Sequence, residues 1–286
     1  MNHMFHFEEI IKPPAMVVVD IGAMLLDGQI DPFERLSELR QLRVIGFEPQ
    51  LEECEKLNAL ARPGHVYLPH AIADGKRRTL HVTNTRMTSS LLRPNFRVIE
   101  YFNNLAEHMQ VVATQEIDTL RLDDVKEICR EGCDLLKLDT QGSEAEILEH
   151  ATKTLEKCLI VQCEVEFLQL YEGQLLFGDI DKLLRNRGFM LHRFSEMSGR
   201  TYKPLMVNND PNVALSQVLW CDAIYVPNLT SLDGLEPTAL VKLAALLHEI
   251  YGSWDLCHVV LAAHDRRCGT TYSKKYFDRL AALRNG

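Results

Sequence analysis

Short apolar, β-branched runs alternate with segments of helical periodicity up to about residue 228, and this narrows the choice of fold more than any other feature. "AMVVVD" (15–20), "RVIGFEP" (43–49), "HVYLPHAIAD" (65–74), "CDLLKLD" (133–139), "CLIVQCEVEF" (158–167), "FMLHRF" (189–194) and "VLWCDAIYVPN" (218–228) read as strands. Between them "DPFERLSELRQL" (31–42) reads as a helix, with Asp31 as N-cap, Pro32 at the first helical position and Glu34 closing a capping box. A second helix places Leu51, Cys54 and Leu57 on one face, and "LRLDDVKEICRE" forms a third that ends at Gly132. "SEAEILEHATKTLEK" reads as one helix capped by Ser143 with Glu146, and "GDIDKLLRNRG" as another stopped by Gly188. "RTLHVT" and "MQVVATQEI" add a hairpin arm and an extended stretch. This order predicts an α/β fold with a parallel, doubly wound sheet covered on both faces. Such sheets bind ligands beyond the carboxyl ends of their strands, where the strand order reverses. The residues at those ends are Asp20, Glu48, Asp74, Asp139, Glu164 and Glu166, all carboxylates.

An apolar fraction of 46% and a charged fraction of 25% are ordinary for a globular chain. The net charge of −9, with no long basic block, disfavours nucleic acid, an anionic membrane surface and a polyanionic substrate, all of which need clustered Lys and Arg. No apolar run approaches the roughly 18 residues of a membrane helix. The opening "MNHMFHFEEIIKPPA" lacks the basic-then-apolar pattern of a secretory leader. The eight cysteines never form a CxxC and are expected to be reduced core thiols in the cytoplasm. His70, His81, His192 and His264 show no metal-ligand spacing, so no metal is expected, although three converging carboxylates can hold Mg²⁺.

"VVVDIGAMLLDG" (17–28) enters a turn that lacks the glycines of a dinucleotide site, with Met24 to Leu26 in their place. A pyrophosphate needs close backbone approach at a helix N-terminus, and these bulky residues obstruct it. An adenosine cofactor without phosphate has no such need. S-adenosylmethionine is one, and its cationic sulfonium and amino groups favour nearby acids. Glu48 stands where an acid can take both ribose hydroxyls. Alone, Asp20 is equally a polar strand terminus and Glu48 a solvated loop acid; together, on consecutive strands, they favour a site.

Lys137 and Asp139 share one face of their strand, and Gln141 and Gly142 form the turn after it. Asp139 is either a helix cap or a site acid. Glu164 and Glu166 lie on one side of a strand that is otherwise apolar, where acids are costly to bury without a partner. Tyr171, Glu172 and Gln174 sit on the loop that follows, as an acceptor lid or a packed connection. Ser89 and Ser90, in "MTSSLLRPN", either donate hydrogen bonds into the site or only form a turn.

In order, "VVDIGA", "GFEP", "AIAD", "TSSL", "IDTLRLDD", "CDLLKLDTQGSEAEIL" and "EVEF" resemble the FkbM-type S-adenosylmethionine-dependent methyltransferases, over roughly residues 15 to 228. The resemblance implies a Rossmann-like, seven-stranded methyltransferase sheet whose last strand is antiparallel, and O-methylation of a sugar, glycan or other small molecule. It implies that Asp20, Gly22 and Ala23 line the methionine end of the cofactor. Glu48, with Pro49 beside it, would take the ribose, and Ala73 and Asp74 would lie near the adenine. Asp139, Glu164 and Glu166 would face the transferring methyl, with Ser89, Ser90, Gln141, Tyr171 and Glu172 toward the acceptor. The family's aromatic-rich helix after the first turn is replaced here by "MLLDGQIDPFERL", and the remainder looks like a bacterial subgroup.

From about residue 230 the pattern becomes helical, with seams at Leu240, Leu243, Leu247 and Ile250, at Trp254, Cys257 and Leu261, and at Tyr276, Leu280 and Leu283. The expected division is a methyltransferase domain over 1–229 and a helical extension over 230–286. The stripes suggest helices packed on one another or on a second subunit, so a homodimer is expected. The rival reading is an inactive scaffold acting through these helices. A nicotinamide dehydrogenase is disfavoured by the missing glycines.

Overall fold

A computed structural model of the chain describes residues 5–24, 33, 35, 36, 42–60 and 62–282. Its strands are β1 (Met16–Ile21), β2 (Leu42–Phe47), β3 (His65–Leu68), β4 (Ala71–Ile72), β5 (Arg77–Thr83), β6 (Val111–Leu120), β7 (Leu135–Leu138), β8 (Ile160–Glu166), β9 (Phe189–Gly199) and β10 (Val218–Pro227). The helices are α1 (Leu51–Ala59), α2 (Phe96–Ile99), α3 (Leu105–His108), α4 (Lys126–Glu131), α5 (Glu144–Glu149), α6 (Thr152–Leu155), α7 (Phe177–Asn186), α8 (Pro237–Glu249), α9 (Trp254–Cys268) and α10 (Tyr272–Ala282). Apart from Phe33, Arg35, Leu36 and Leu42, the helix expected over 31–42 lies outside the described residues.

Seven strands form one sheet in the order β3-β2-β1-β7-β8-β10-β9. All pairs are parallel except those of β10, which runs antiparallel to β8 and β9. This is the α/β methyltransferase sheet with its antiparallel last strand. The chain winds outward from β1 to β3, then returns to start β7 on the other side of β1. The strand order therefore reverses between β1 and β7, and a crevice opens there.

Two expected elements break. "HVYLPHAIAD" splits at Pro69, which has no N–H for the ladder, and β4 leaves to join a second sheet, β4-β6-β5. "SEAEILEHATKTLEK" becomes α5 and α6, because Asp123 accepts from the N–H groups of Lys153 (2.8 Å) and Thr154 (2.9 Å) and so caps a new helix start. Leu51, expected on the buried face of α1, is 58% exposed, while Cys54 and Leu57 are buried.

Alternation along the strands divides the sheet's residues between two cores. Val17, Val19, Ile21, Leu136, Leu138, Val161 and Cys163 pack with α5 and α7. Met16, Val18, Val44, Leu135, Ile160, Ile224 and Val226 face the other way and share a core with Leu240, Leu247, Leu261 and Tyr276 of the C-terminal helices. Of the apolar stripes that suggested a second subunit, Leu240, Leu243, Leu247, Cys257, Leu261 and Tyr276 are buried in this core, while Leu283 lies outside the described residues.

On that second face, the next residues along the strands turn polar: Asp20, Lys137, Gln162, Glu164 and Asp222. Lys137 Nζ donates to Asp20 Oδ1 at 3.0 Å, Gln162 Nε2 donates to Asp222, and the Tyr251 hydroxyl donates to Gln162 Oε1 at 3.0 Å. Tyr251, just past α8, marks where the helical cover ends. Beyond it the sheet face is free to line a site.

Candidate active site

At the carboxyl ends of β1, β2 and β7 lies an open cleft lined by Gly22, Phe47, Glu48, Pro49, Ile72, Arg86, Ser89, Ser90, Asp139, Gln141 and Glu164, among others. A second chamber adjoins it, walled by Thr88, Leu105, His108, Met109, Glu166, Leu170, Tyr171, Arg200 and Trp220, among others. The two share Met87, Gln141 and Glu164.

The junction is built on the turn after β7. Gly22 (φ +85°) lets the end of β1 touch this turn, since a Cβ there would lie 1.9 Å from the Asp139 carbonyl oxygen. Asp139 N–H continues the ladder by donating to the Ile21 carbonyl at 3.0 Å. Gln141 adopts left-handed backbone (φ 60°), a conformation that costs a non-glycine residue about 1 kcal/mol or more. It is held there from several sides. Ser90 Oγ donates to its carbonyl at 2.7 Å, and the Tyr171 hydroxyl lies 3.0 Å from its Oε1. Its Nε2 donates to Asp139 Oδ1 (2.8 Å) and to Glu164 Oε2 (2.7 Å). The orientation of the amide follows from its partners, because a flipped Gln141 would aim its oxygen at two carboxylates. One side chain thus fixes the spacing of two acids.

The helix start is not capped as expected. Ser143 makes no side-chain cap, and Glu144 instead accepts from the N–H groups of Thr140 (2.6 Å) and Gly142 (2.9 Å), bracing the turn. Glu146 reaches away to Arg78.

These acids carry little compensating positive charge. Burial pushes Glu48 up to about 7 and Glu144 also to about 7. Burial, with Asp139 and Glu166 nearby, raises Glu164 well above the usual carboxylate range; burial and Glu144 do the same to Glu166. Glu166 Oε2 is buried without a hydrogen-bond partner.

Several expected residues line neither cavity. Asp20 is turned under the sheet and committed to Lys137. Ala23 packs with Cys54, Leu57 and Tyr67. Ala73 is fully buried, and Asp74 holds Lys76 and Arg78 at 2.9 Å each, because the chain has already left for the second sheet. His70, Ala71 and Ile72 stand at the cleft instead. Glu172 is exposed, with its N–H donating to the Arg93 carbonyl. Gln141 and Tyr171 do line the chamber, but their polar atoms serve the junction; the Tyr171 hydroxyl also donates to the Thr88 carbonyl at 3.0 Å. Arg86, His108, Arg200 and Trp220 carry no motif, and no pattern in the sequence marked them. Among the described residues, no group of three or more His, Cys, Asp or Glu could hold a metal ion, so Asp139, Glu164 and Glu166 do not form the Mg²⁺ site that three converging acids would make. No described helix is long and apolar enough to cross a membrane.

The cleft suits an adenosine cofactor without phosphate. Glu48 is 3% exposed, its Oε1 accepts from Gln50 N–H at 2.7 Å, and its carboxyl lines the cleft, where a carboxylate can accept from a vicinal diol. Ile21, Phe47, Ile72 and Leu80 supply apolar walls for a base. Among the described residues of this wall, Arg86 is the arginine or lysine, and it is paired with Glu53 rather than free for a phosphate. S-adenosylmethionine fits these residues.

No curated protein matches the chain. Among solved structures, it is similar to magnesium protoporphyrin IX methyltransferase (ChlM) from Synechocystis PCC 6803 with bound SAM, at 11% identity over 77% of this chain and 74% of that one. The TM-score is 0.39, a likeness too distant to carry a functional argument. A profile of the methyltransferase FkbM domain matches residues 20–191 of the 286. The matched segment runs from the end of β1 into β9 and takes in Glu48, Asp139 and Glu164, and the chain belongs to the FkbM methyltransferase family.

Proposed function

We propose that this chain uses S-adenosylmethionine to methylate a hydroxyl of a small-molecule or glycan acceptor. The observation that carries the reading is the Asp139–Gln141–Glu164 bridge at the junction of a nucleoside-sized cleft and a second chamber. Glu48 holds the ribose, Gly22 gives close backbone approach, and Ile72 and Phe47 flank the base. When bound, the cofactor supplies an electrophilic methyl group on a positively charged sulfur. The chain's own task is alignment, which contributes several kcal/mol when two reactants are held in line. Burial and neighbouring acids favour the protonated form of Glu164, which therefore orients the acceptor oxygen by donating to it. With the cofactor bound, Asp139 would take the proton that the acceptor hydroxyl gives up as its oxygen gains the methyl from sulfur.

Calorimetry with S-adenosylmethionine, S-adenosylhomocysteine and NAD tests the cofactor, and a labelled methyl donor offered to cell extract tests the transfer. Binding of both adenosyl compounds and labelling of a hydroxyl compound are expected. Binding of NAD alone overturns the reading.

A further inference from the structure

The second chamber holds two polar groups that the methyl transfer does not use. Glu166 is 1% exposed, with Oε2 unpartnered. Arg200 also lines this chamber, its guanidinium stacked 5.0 Å from the Trp220 ring centroid. Its Nη1 donates to the carbonyls of Gly199 (2.7 Å) and Asn212 (3.3 Å). Its Nε is buried with no acceptor, and no described carboxylate lies within ion-pair distance; Asp210 is the nearest acid acting on it. The Nε–Nη2 edge of an arginine is the one that matches a carboxylate with two parallel hydrogen bonds. Among the described residues that edge has no partner; Nε is closed off as it stands, so a carboxylate meets the edge once the guanidinium turns toward the chamber, which Leu105, Met109 and Leu170 line together with Thr88, His108 and Glu164.

We propose that the chamber binds an acceptor bearing a carboxylate as well as the hydroxyl to be methylated: a hydroxy acid whose carboxylate seats on Arg200, whose apolar body lies along Leu105, Met109 and Leu170, and whose hydroxyl reaches Glu164 at the junction. This rests on the methyl-transfer reading of the same site. The chain's overall negative charge makes one stacked arginine a selective anchor rather than a general anion trap.

The test is calorimetric titration of the full chain with mandelate, 4-hydroxyphenylacetate and 3-hydroxydecanoate, each against its methyl ester, with and without saturating S-adenosylhomocysteine. At least one acid is expected to bind about tenfold or more tightly than its ester, the scale of a charge-assisted bidentate contact. Arg200→Gln should reduce the acid to the level of its ester, and Arg200→Lys should keep part of the preference. Unchanged affinity for S-adenosylhomocysteine in both variants shows that they fold. Equal binding of every acid and its ester, or a preference that survives Arg200→Gln, overturns the proposal. Loss of S-adenosylhomocysteine binding by the wild-type chain would strike the cofactor reading instead, and the acid–ester comparison is made without that ligand as well.

Discussion

Asp20 and Asp74 are 2% and 9% exposed, and Glu48 and Glu166 are 3% and 1% exposed, yet the two pairs sit in opposite electrostatic surroundings. Lys137 neutralises Asp20, and Lys76 and Arg78 neutralise Asp74. Among the described residues Glu48 and Glu166 form no ion pair, Arg86 acting on Glu48 only weakly, and both hold protons at higher pH. A buried acid with its own cation is a finished structural contact. A buried acid without one costs stability unless a proton or a ligand completes it, and such groups gather at sites. Strand-end position alone does not separate the two kinds; the cation does.

The sharpest way to break this contrast is Asp20→Asn, which removes the buried carboxylate that lies 3.0 Å from Lys137 Nζ. A stability loss of about 3 kcal/mol is expected by chemical denaturation, the scale for removing one member of a buried pair. A loss under about 0.5 kcal/mol would mean that Asp20 is not the structural partner assigned here.

Next come Asp139→Asn, which removes the proton acceptor, and Glu164→Ala, which removes the donor. Each should leave the fold intact and slow methyl transfer by about 10²-fold or more, measured as an initial rate with labelled cofactor. Full rates in both would make these acids structural.

Glu48→Ala should weaken S-adenosylhomocysteine binding by about 1 to 3 kcal/mol in calorimetry, the cost of losing a charged acceptor. Unaltered affinity would put the ribose elsewhere.

The same residue gives a pH dependence. With its folded pKa raised to about 7 from an unfolded 4.5, Glu48 keeps its proton in the folded state where the unfolded chain has lost it. Its contribution to stability is therefore most favourable below pH 4.5 and is lost as pH rises through 7. Cofactor affinity runs the other way, because the ionised acid is the better acceptor for hydroxyls. Affinity for S-adenosylhomocysteine should fall up to roughly tenfold from pH 8 to pH 6 and stay flat in Glu48→Gln. An unchanged slope in that variant would assign the effect to another group.

The smallest effect is expected at Asp74→Asn. Its partners are largely exposed and screened by solvent, so about 1 kcal/mol of stability should go while S-adenosylhomocysteine affinity holds. A drop in affinity would return Asp74 to the adenine site.

The strands, their alternation and the acids at their ends were legible because burial imposes a period of two on a strand and 3.6 on a helix, and both survive in the one-dimensional record. The C-terminal stripes were legible too, but what covers them was not. Whether Leu240 and Leu261 meet a second subunit or the chain's own sheet depends on where the last helices turn back, and no local pattern encodes that.

The amino-acid sequence by itself determined the sheet class, the carboxyl-end location of the site and the acids Glu48, Asp139, Glu164 and Glu166. Each follows from local periodicity and from the cost of placing charge in an apolar run. Only the tertiary structure decided that Lys137 claims Asp20, that Pro69 diverts Asp74 into another sheet, and that Gln141 binds two acids from different strands. It alone brought Trp220 beside Glu166 on the next strand and stacked Arg200 over it. These are long-range pairings, and a charge is neutralised by whatever lies within a few ångströms in space, however far away along the chain.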